Sequence, residues 1–518
     1  MKIPKPLIFI NSIILLVFLL PVFYMFWRFA NFSSNLSLFL ESWDVLSLFL
    51  NTLYLCTAVV TTSVLLGIMI SILVVRVNLP FPKIIFTLTI LPLVIPSYIG
   101  ALTYVSAFSP KGLFVDIISK FGINEIPGLE GFLGSWIVLT LFTYPYVQLI
   151  CTSALRNLDS TVEDAAKSLG AGSFRIYSSV VIPRLKKPII YSSLLVGLYV
   201  ISDFGAVSLM KYSTITKAIY SYYTININSD PVIFYSTLLI LLALIISFTQ
   251  RSSELGETSK VSGTPKQFSK INLSYRNKFF VYSFFLILIF FGLLLPISVL
   301  SYWLVKGVYY GSIISASISG AIGSLTISVL TSMFAILIAT PIVVMISQYK
   351  SKIGSYFEKI TLTLYGLPHI AVGISMLFIA IKIFPKIYQT YTLLVLSYLV
   401  VFLPQAIGGG QASMEQVKRS YIEASNGLGM SKIDTFLKIT LPLIYRGLFA
   451  GGALVFLSTM KELPQTLLLR PTGFTTMAVD IWSNASEGLF TQAALSSFIL
   501  LSISAVPTYI LSTRNLGR

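Results

Sequence analysis

Two acidic residues sit where acids are costly. Asp203 and Glu462 fall near the outer ends of long apolar runs, 259 residues apart. An ionisable group at membrane depth is expensive and marks a functional position by default. Carboxylate oxygens suit hard, highly charged cations, so two such groups facing one pathway fit a transient cation site. A second role fits equally: each acid pairs with a nearby base or caps a broken helix at an outer gate. Lys461 adjoins Glu462, and Lys211 and Arg470 follow in register. His369 is the only histidine and directly follows Pro368. Its counterpart in the first half is Ser97, after Pro96, so it is not a duplicated ligand and reads as a pore or packing residue. Pro96 and Pro368, with Pro145 and Pro404, lie inside apolar runs and predict kinked helices along a pathway.

A second constellation is a loop that occurs twice. Residues 163–183 read EDAAKSLGAGSFRIYSSVVIP and residues 423–442 read EASNGLGMSKIDTFLKITLP. Gly170 and Pro183 are separated by 13 positions, as are Gly429 and Pro442. In each copy acidic residues open a short helix, where its dipole favours them. Gly170 and Gly429 then end it as left-handed caps. Ala165, Ala166, Ala424 and Ser425 are small enough for a partner surface to approach the backbone. One copy alone reads as an ordinary amphipathic surface helix. Two copies in matching register read as paired docking sites, formed by Glu163, Asp164, Ala165, Ala166 and Gly170 and by Glu423, Ala424, Ser425 and Gly429.

The elements that must position these residues are membrane spans. The chain has 518 residues, 55% of them hydrophobic and only 11% charged. Many windows of about 20 residues are nearly uncharged, the length that crosses a bilayer as a helix. The reading is an all-α polytopic membrane protein with about 12 transmembrane helices. The first six are placed near 6–28, 47–75, 84–107, 135–153, 189–210 and 232–250. The second six are placed near 279–304, 319–347, 360–384, 391–411, 447–469 and 489–512. The opening run is taken as an uncleaved first span. Residues 1–250 form a first half with its repeated loop at 154–188, and residues 279–518 form a second half with its loop at 412–446. The polar segment 251–278 between them reads as a cytoplasmic linker.

With a cytoplasmic N-terminus, 26 of the 36 basic residues fall on one set of loops and termini. This asymmetry puts both termini and both repeated loops in the cytoplasm, and explains the formal charge of +17 without nucleic acid. Pro145 and Pro404 share the 259-residue offset, whereas Pro96 and Pro368 are 272 apart because the outer loop near 108–134 is longer in the first half. Six spans per half make the halves parallel repeats. No P-loop occurs, so the chain does not itself bind ATP through one. Cys56 and Cys151 are isolated within apolar runs, and with one histidine a dedicated zinc site is not implied. The chain is read as a transport subunit and not as an enzyme.

The repeated loop resembles the EAA loop in membrane subunits of binding-protein-dependent ATP-binding-cassette importers. Ala165-Ala166, Gly170 and Ile182-Pro183 match in the first copy; Glu423-Ala424, Gly429 and Leu441-Pro442 match in the second. The first copy aligns Asp164 with the family glutamate, with Glu163 just before it, and the second has Ser425 for an alanine. SDFGAVSLMKYSTITKAIY at 202–220 and KELPQTLLLRPTGFTTMAVDIW at 461–482 are similar to the fused twelve-span permeases of the ferric-iron group. Thiamine importers share that layout.

The resemblance implies a type I importer permease fold in a bacterial cytoplasmic (inner) membrane. It implies two copies of a separate ATPase that carries ATP and Mg2+, with none bound by this chain. It also implies an extracytoplasmic solute-binding protein, periplasmic or lipid-anchored, that delivers ferric iron. Asp203 and Glu462 are then transient metal candidates or gate residues, with His369, Pro96 and Pro368 along the path. The alternatives are a permease for thiamine or another small solute, and an ion-gradient-driven secondary transporter, which needs no matched docking helices.

Overall fold

The structure, a computed structural model, describes residues 3–31, 44–109, 112–122, 127–156, 158, 161–225, 230–254, 270–311, 317–349 and 351–516. The expected linker falls largely on 255–269, outside the described residues. The helices, in chain order, begin with α1 (Lys5–Ala30), α2 (Val45–Arg76), α3 (Pro82–Val94), α4 (Ser97–Ala107) and α5 (Leu113–Ile118). Then come α6 (Gly131–Arg156), α7 (Thr161–Ser168), α8 (Tyr177–Ser202), α9 (Gly205–Leu209), α10 (Ile215–Ile225) and α11 (Asp230–Glu254). The second half contributes α12 (Tyr275–Tyr309), α13 (Ile318–Gln348), α14 (Lys352–Tyr365), α15 (His369–Lys382) and α16 (Tyr391–Met414). It closes with α17 (Arg419–Gly427), α18 (Lys432–Met460), α19 (Pro464–Leu469), α20 (Met477–Ser486) and α21 (Phe490–Leu516). Among the described residues there is no strand, only one parallel bridge between Val77 and Ile271.

Nine of these helices are long and apolar enough to cross a membrane: α1, α2, α6, α8, α11, α12, α13, α16 and α18. The expected third span is not straight. α3 and α4 meet at a bend of 92°. Proline explains the break: Pro96 has no N–H and restricts Ile95 to an extended conformation with ψ 119°. In the second half α14 and α15 are likewise separate helices, with Pro368 immediately before α15. Pro145 and Pro404 instead stay inside α6 and α16.

By contacts the chain forms two compact units. One comprises residues 37–218 and 245–313; the other comprises 1–36, 219–244 and 314–518. The opening span of each sequence half therefore belongs to the unit built mostly from the other half. In the first of these units, Tyr104 of α4 donates its hydroxyl to the Phe291 carbonyl of α12 at 2.8 Å. In the second, Asn11 of α1 donates to the Pro341 carbonyl at 3.1 Å, and Ser375 of α15 donates to the Pro21 carbonyl at 2.6 Å. The repeat boundary at 250–279 and the packing boundaries do not coincide.

Small and hydroxyl-bearing residues hold the spans within each unit. Between α2 and α6, Thr62 meets Thr140 at 2.9 Å and Ser63 meets Thr143 at 3.0 Å. In lipid, where association gains little from apolar burial, such bonds contribute about 0.6 kcal/mol each. In the other unit α16 and α18 cross where Gly409, Gly447 and Gly451 meet backbone to backbone, leaving no room for a Cβ.

Candidate functional site: paired short helices and paired carboxylates

The repeated loops fold alike. α7 and α17 are short helices, each followed by a glycine at φ 79°. Ala171 N–H bonds the Ala166 carbonyl at 3.0 Å, and Met430 N–H bonds the Ser425 carbonyl at 3.1 Å. These are the long bonds of a Schellman cap, which closes a helix only when the cap residue is left-handed. A Cβ at Gly170 or Gly429 would meet nothing within 4 Å, so the demand for glycine there is conformational and not steric.

The two helices present the same faces. Glu163 and Ala166 turn inward in α7, and Ile422 and Ser425, their counterparts 259 residues on, turn inward in α17. Asp164 is half-buried, while Ala165, Glu423 and Ala424 are exposed. Leu169 and Leu428, each just before the cap glycine, are 88% and 84% exposed. Burying a leucine is worth about 1.5–3 kcal/mol, so two of these projecting at equivalent places are candidate contact residues. The sequence reading passed over them, although the same 259-residue register carries them.

The inward contacts differ between the copies. Glu163 pairs with Arg76, the last residue of α2, at 2.9 Å, with the two side chains 9% and 3% exposed. Glu163 therefore does not belong to the outward face with Ala165. Ala166 packs against a buried cluster of Leu155, Ile176, Val181 and Leu185. In the second copy, Ser425 bonds the Thr435 hydroxyl at 3.0 Å instead, and Thr435 stands where the first half has Ile176. The serine that departs from the family alanine is thus matched by a hydroxyl partner.

The carboxylates are also paired by the repeat. Asp203 follows α8 and accepts the Ala206 N–H of α9 at 2.9 Å and the hydroxyl of Ser97, the first residue of α4. Glu462 follows α18, accepts the Gln465 N–H of α19 at 3.2 Å, and meets His369 Nδ1, at the first residue of α15, at 2.7 Å. Ser97 and His369, matched by the sequence as counterparts, thus do the same work for different acids. Their backbone carbonyls are used as well: Thr216 donates to that of Asp203 and Thr466 to that of Glu462, both at 2.7 Å. Both acids are buried, 9% and 5% exposed, and each joins the end of a long helix to the start of a helix that a proline precedes. Among the described residues no three His, Cys, Asp or Glu side chains gather as a metal site. Pro96 and Pro368 are the N-caps of α4 and α15 and place Ser97 and His369 against the acids. Lys461, next to Glu462, is half-buried and makes no ion pair among the described residues.

The profile of one family, the binding-protein-dependent transport system inner membrane component, matches residues 7–254 and 339–513. The chain belongs to this family. Its permease domain occurs twice, fused in one chain. The permease is similar to the Fe(3+)-transport system permease protein FbpB 2 of Haemophilus influenzae, 27% identical over 466 residues that cover 89% of this chain and 88% of that protein. It is also similar to the sulfate transport system permease protein CysW of Escherichia coli, 24% identical over 38% of this chain and 67% of that one. A third relative is the putative 2-aminoethylphosphonate transport system permease protein PhnV of Salmonella typhimurium, 23% identical over 35% of this chain and 69% of that one. The likeness to the ferric-iron protein runs through both halves, whereas the other two match about a third of the permease.

Proposed function

We propose that this permease forms the membrane path of an ATP-driven importer for ferric iron. It receives iron from an extracytoplasmic binding protein and is driven by two copies of a separate ATPase seated on α7 and α17. The observation that carries the reading is the matched pair of Schellman-capped helices, each projecting one leucine from the same register. A carrier driven by an ion gradient has no use for two identical docking helices. Iron as cargo rests on the resemblance across 89% of the chain to a ferric-iron permease. Counting the bent α3–α4 pair and the shorter apolar helices His369–Lys382 and Phe490–Ala505 as crossings gives twelve, with both termini and both docking helices on the cytoplasmic side of the inner membrane.

The test is reconstitution in vesicles with the ATPase and the binding protein, following radiolabelled ferric iron. Uptake is expected only with ATP and all three components. Replacing Leu169 and Leu428 by aspartate is expected to weaken ATPase retention at least about tenfold for each leucine. Uptake that persists without the ATPase overturns the importer reading. A second reading, an anionic cargo such as an oxyanion, is favoured by Lys461, a half-buried cation with no ion-pair partner among the described residues. Labelled sulfate taken up in the same vesicles, with iron excluded, selects it.

A further inference from the structure

The two docking helices share a backbone and an outward face, but they are not held in place by the same forces. α7 is tied to α2 by Arg76 and Glu163, at 2.9 Å with both side chains nearly out of solvent. The placement suits both charges: Arg76 is the last residue of its helix and Glu163 lies in the first turn of its own, where the helix dipoles favour them. The backbone of Arg76 is held too. Its carbonyl accepts the Ile271 N–H at 2.8 Å, and Asn78 N–H returns a bond to the Ile271 carbonyl at 3.1 Å. The polypeptide re-entering from the linker thus braces the residue that carries the docking helix.

Among the described residues no ion pair holds α17 in the same way. The position 259 residues after Glu163 is Ile422, buried at 6% exposure, and the position 272 residues after Arg76 is Gln348, the last residue of α13. One layer further in the exchange runs the other way, with apolar Ala166 and Ile176 in the first half against hydroxylic Ser425 and Thr435 in the second. Each seat therefore holds one polar contact and one apolar contact, in opposite order.

We infer that Arg76 is a positioning residue for energy coupling: with Glu163 it fixes the first docking helix to the end of α2, a role confined to the first half. This rests on the docking reading of α7. A buried pair is rigid because losing one partner strands the other charge. Movement of α7 by a docked ATPase then reaches α2 as a lever, whereas α17 passes movement through the packing of Ile422 and the hydrogen bond between Ser425 and Thr435.

The experiment measures cargo taken up per ATP hydrolysed in vesicles holding the permease, the ATPase and the binding protein. Glu163→Gln and Arg76→Gln are each expected to lower that ratio about tenfold while the ATPase still co-purifies. The double variant Arg76→Gln/Glu163→Ile, which transplants the residues of the second half, is expected to restore most of it. The transplant leaves no lone buried charge, so it also guards against a folding defect in the single variants. In an Arg76→Cys/Glu163→Cys chain with Cys56 and Cys151 replaced, a short bismaleimide bridge is expected to raise the ratio. A parental ratio in Glu163→Gln, a transplant no better than the single variants, or a ratio indifferent to the bridge overturns the inference. A parental permease that binds no ATPase instead overturns the docking reading on which it rests.

Discussion

At the scale of the residue, the two buried acids act through hydrogen bonds that organise helix ends. Asp203 closes α9 and receives Ser97; Glu462 closes α19 and meets His369. Hydrogen bonds to a charged group are worth about 1.5–3 kcal/mol each. Asparagine or glutamine keeps the acceptor for the helix N–H but removes the charge. In the double variant Asp203→Asn/Glu462→Gln, iron uptake is expected to fall at least tenfold while the chain still co-purifies with its ATPase. Uptake at the parental rate would remove both acids from the transport path.

A third acid offers a pH readout. Asp116 lies outside the spans and accepts from Lys306 at 2.8 Å and from the Tyr302 hydroxyl. Partial burial pushes its carboxyl up, but the bonds from Lys306 and Tyr302 and the charge of Lys306 outweigh that and hold it below its ordinary 3.8. A carboxyl lowered on folding stabilises above its unfolded value and loses that contribution as pH falls through its folded value. Asp116→Asn is therefore expected to lower the melting temperature at neutral pH by about 1–2 °C, since the pair is partly exposed and solvent screens it. The two melting curves should converge below pH 3.8. A gap that persists there assigns the effect to packing.

At the scale of the element, the sequence carried the two short capped helices well because their signal is local. Gly170 and Gly429 recur in register, and the structure places both at φ 79°. It could not carry their orientation. Glu163 reads as a first-turn acid of the repeated loop because Arg76, its partner, is 87 residues away. The partnership of Ser97 with Asp203, and of His369 with Glu462, was hidden for a similar reason. Each pair joins segments that obey different offsets, 272 and 259 residues, so no single alignment brings them together. Pro96 signalled a distortion, but not its size, a bend of 92°.

The cap geometry yields a graded prediction. An L-residue in the left-handed region costs about 1–2 kcal/mol, and asparagine tolerates it better than valine does. Because space beyond each glycine is open, size should matter less than backbone preference. Uptake per ATP is expected to rank parent, Gly170→Asn, then Gly170→Val, with the same order at Gly429. Equal loss in the asparagine and valine variants would point to a partner surface that excludes any side chain.

At the scale of the whole molecule, the exchange of opening spans was the least legible feature. α1 and α12 are long apolar helices whose own residues do not name a partner. Asn11, Ser375 and Tyr104 specify the choice through single hydrogen bonds to carbonyls more than 180 residues away. This arrangement has a consequence for a fused chain. If the polypeptide is divided within 255–269, each piece carries spans that complete the unit of the other: α1 and most of α11 from the first piece, and α12 from the second. The fragments 1–254 and 270–518, produced together, are expected to co-purify and support iron uptake at about half the parental level or better, because no described contact is cut. Produced alone, 1–254 leaves Tyr104 without the Phe291 carbonyl and Asn11 without that of Pro341, and 270–518 leaves Ser375 without that of Pro21. In lipid such polar groups have no water to fall back on. Each single fragment is therefore expected to be degraded, with Ser375→Val weakening recovery of the pair. Stable, monodisperse single fragments would show that the exchanged spans are not needed to complete either unit.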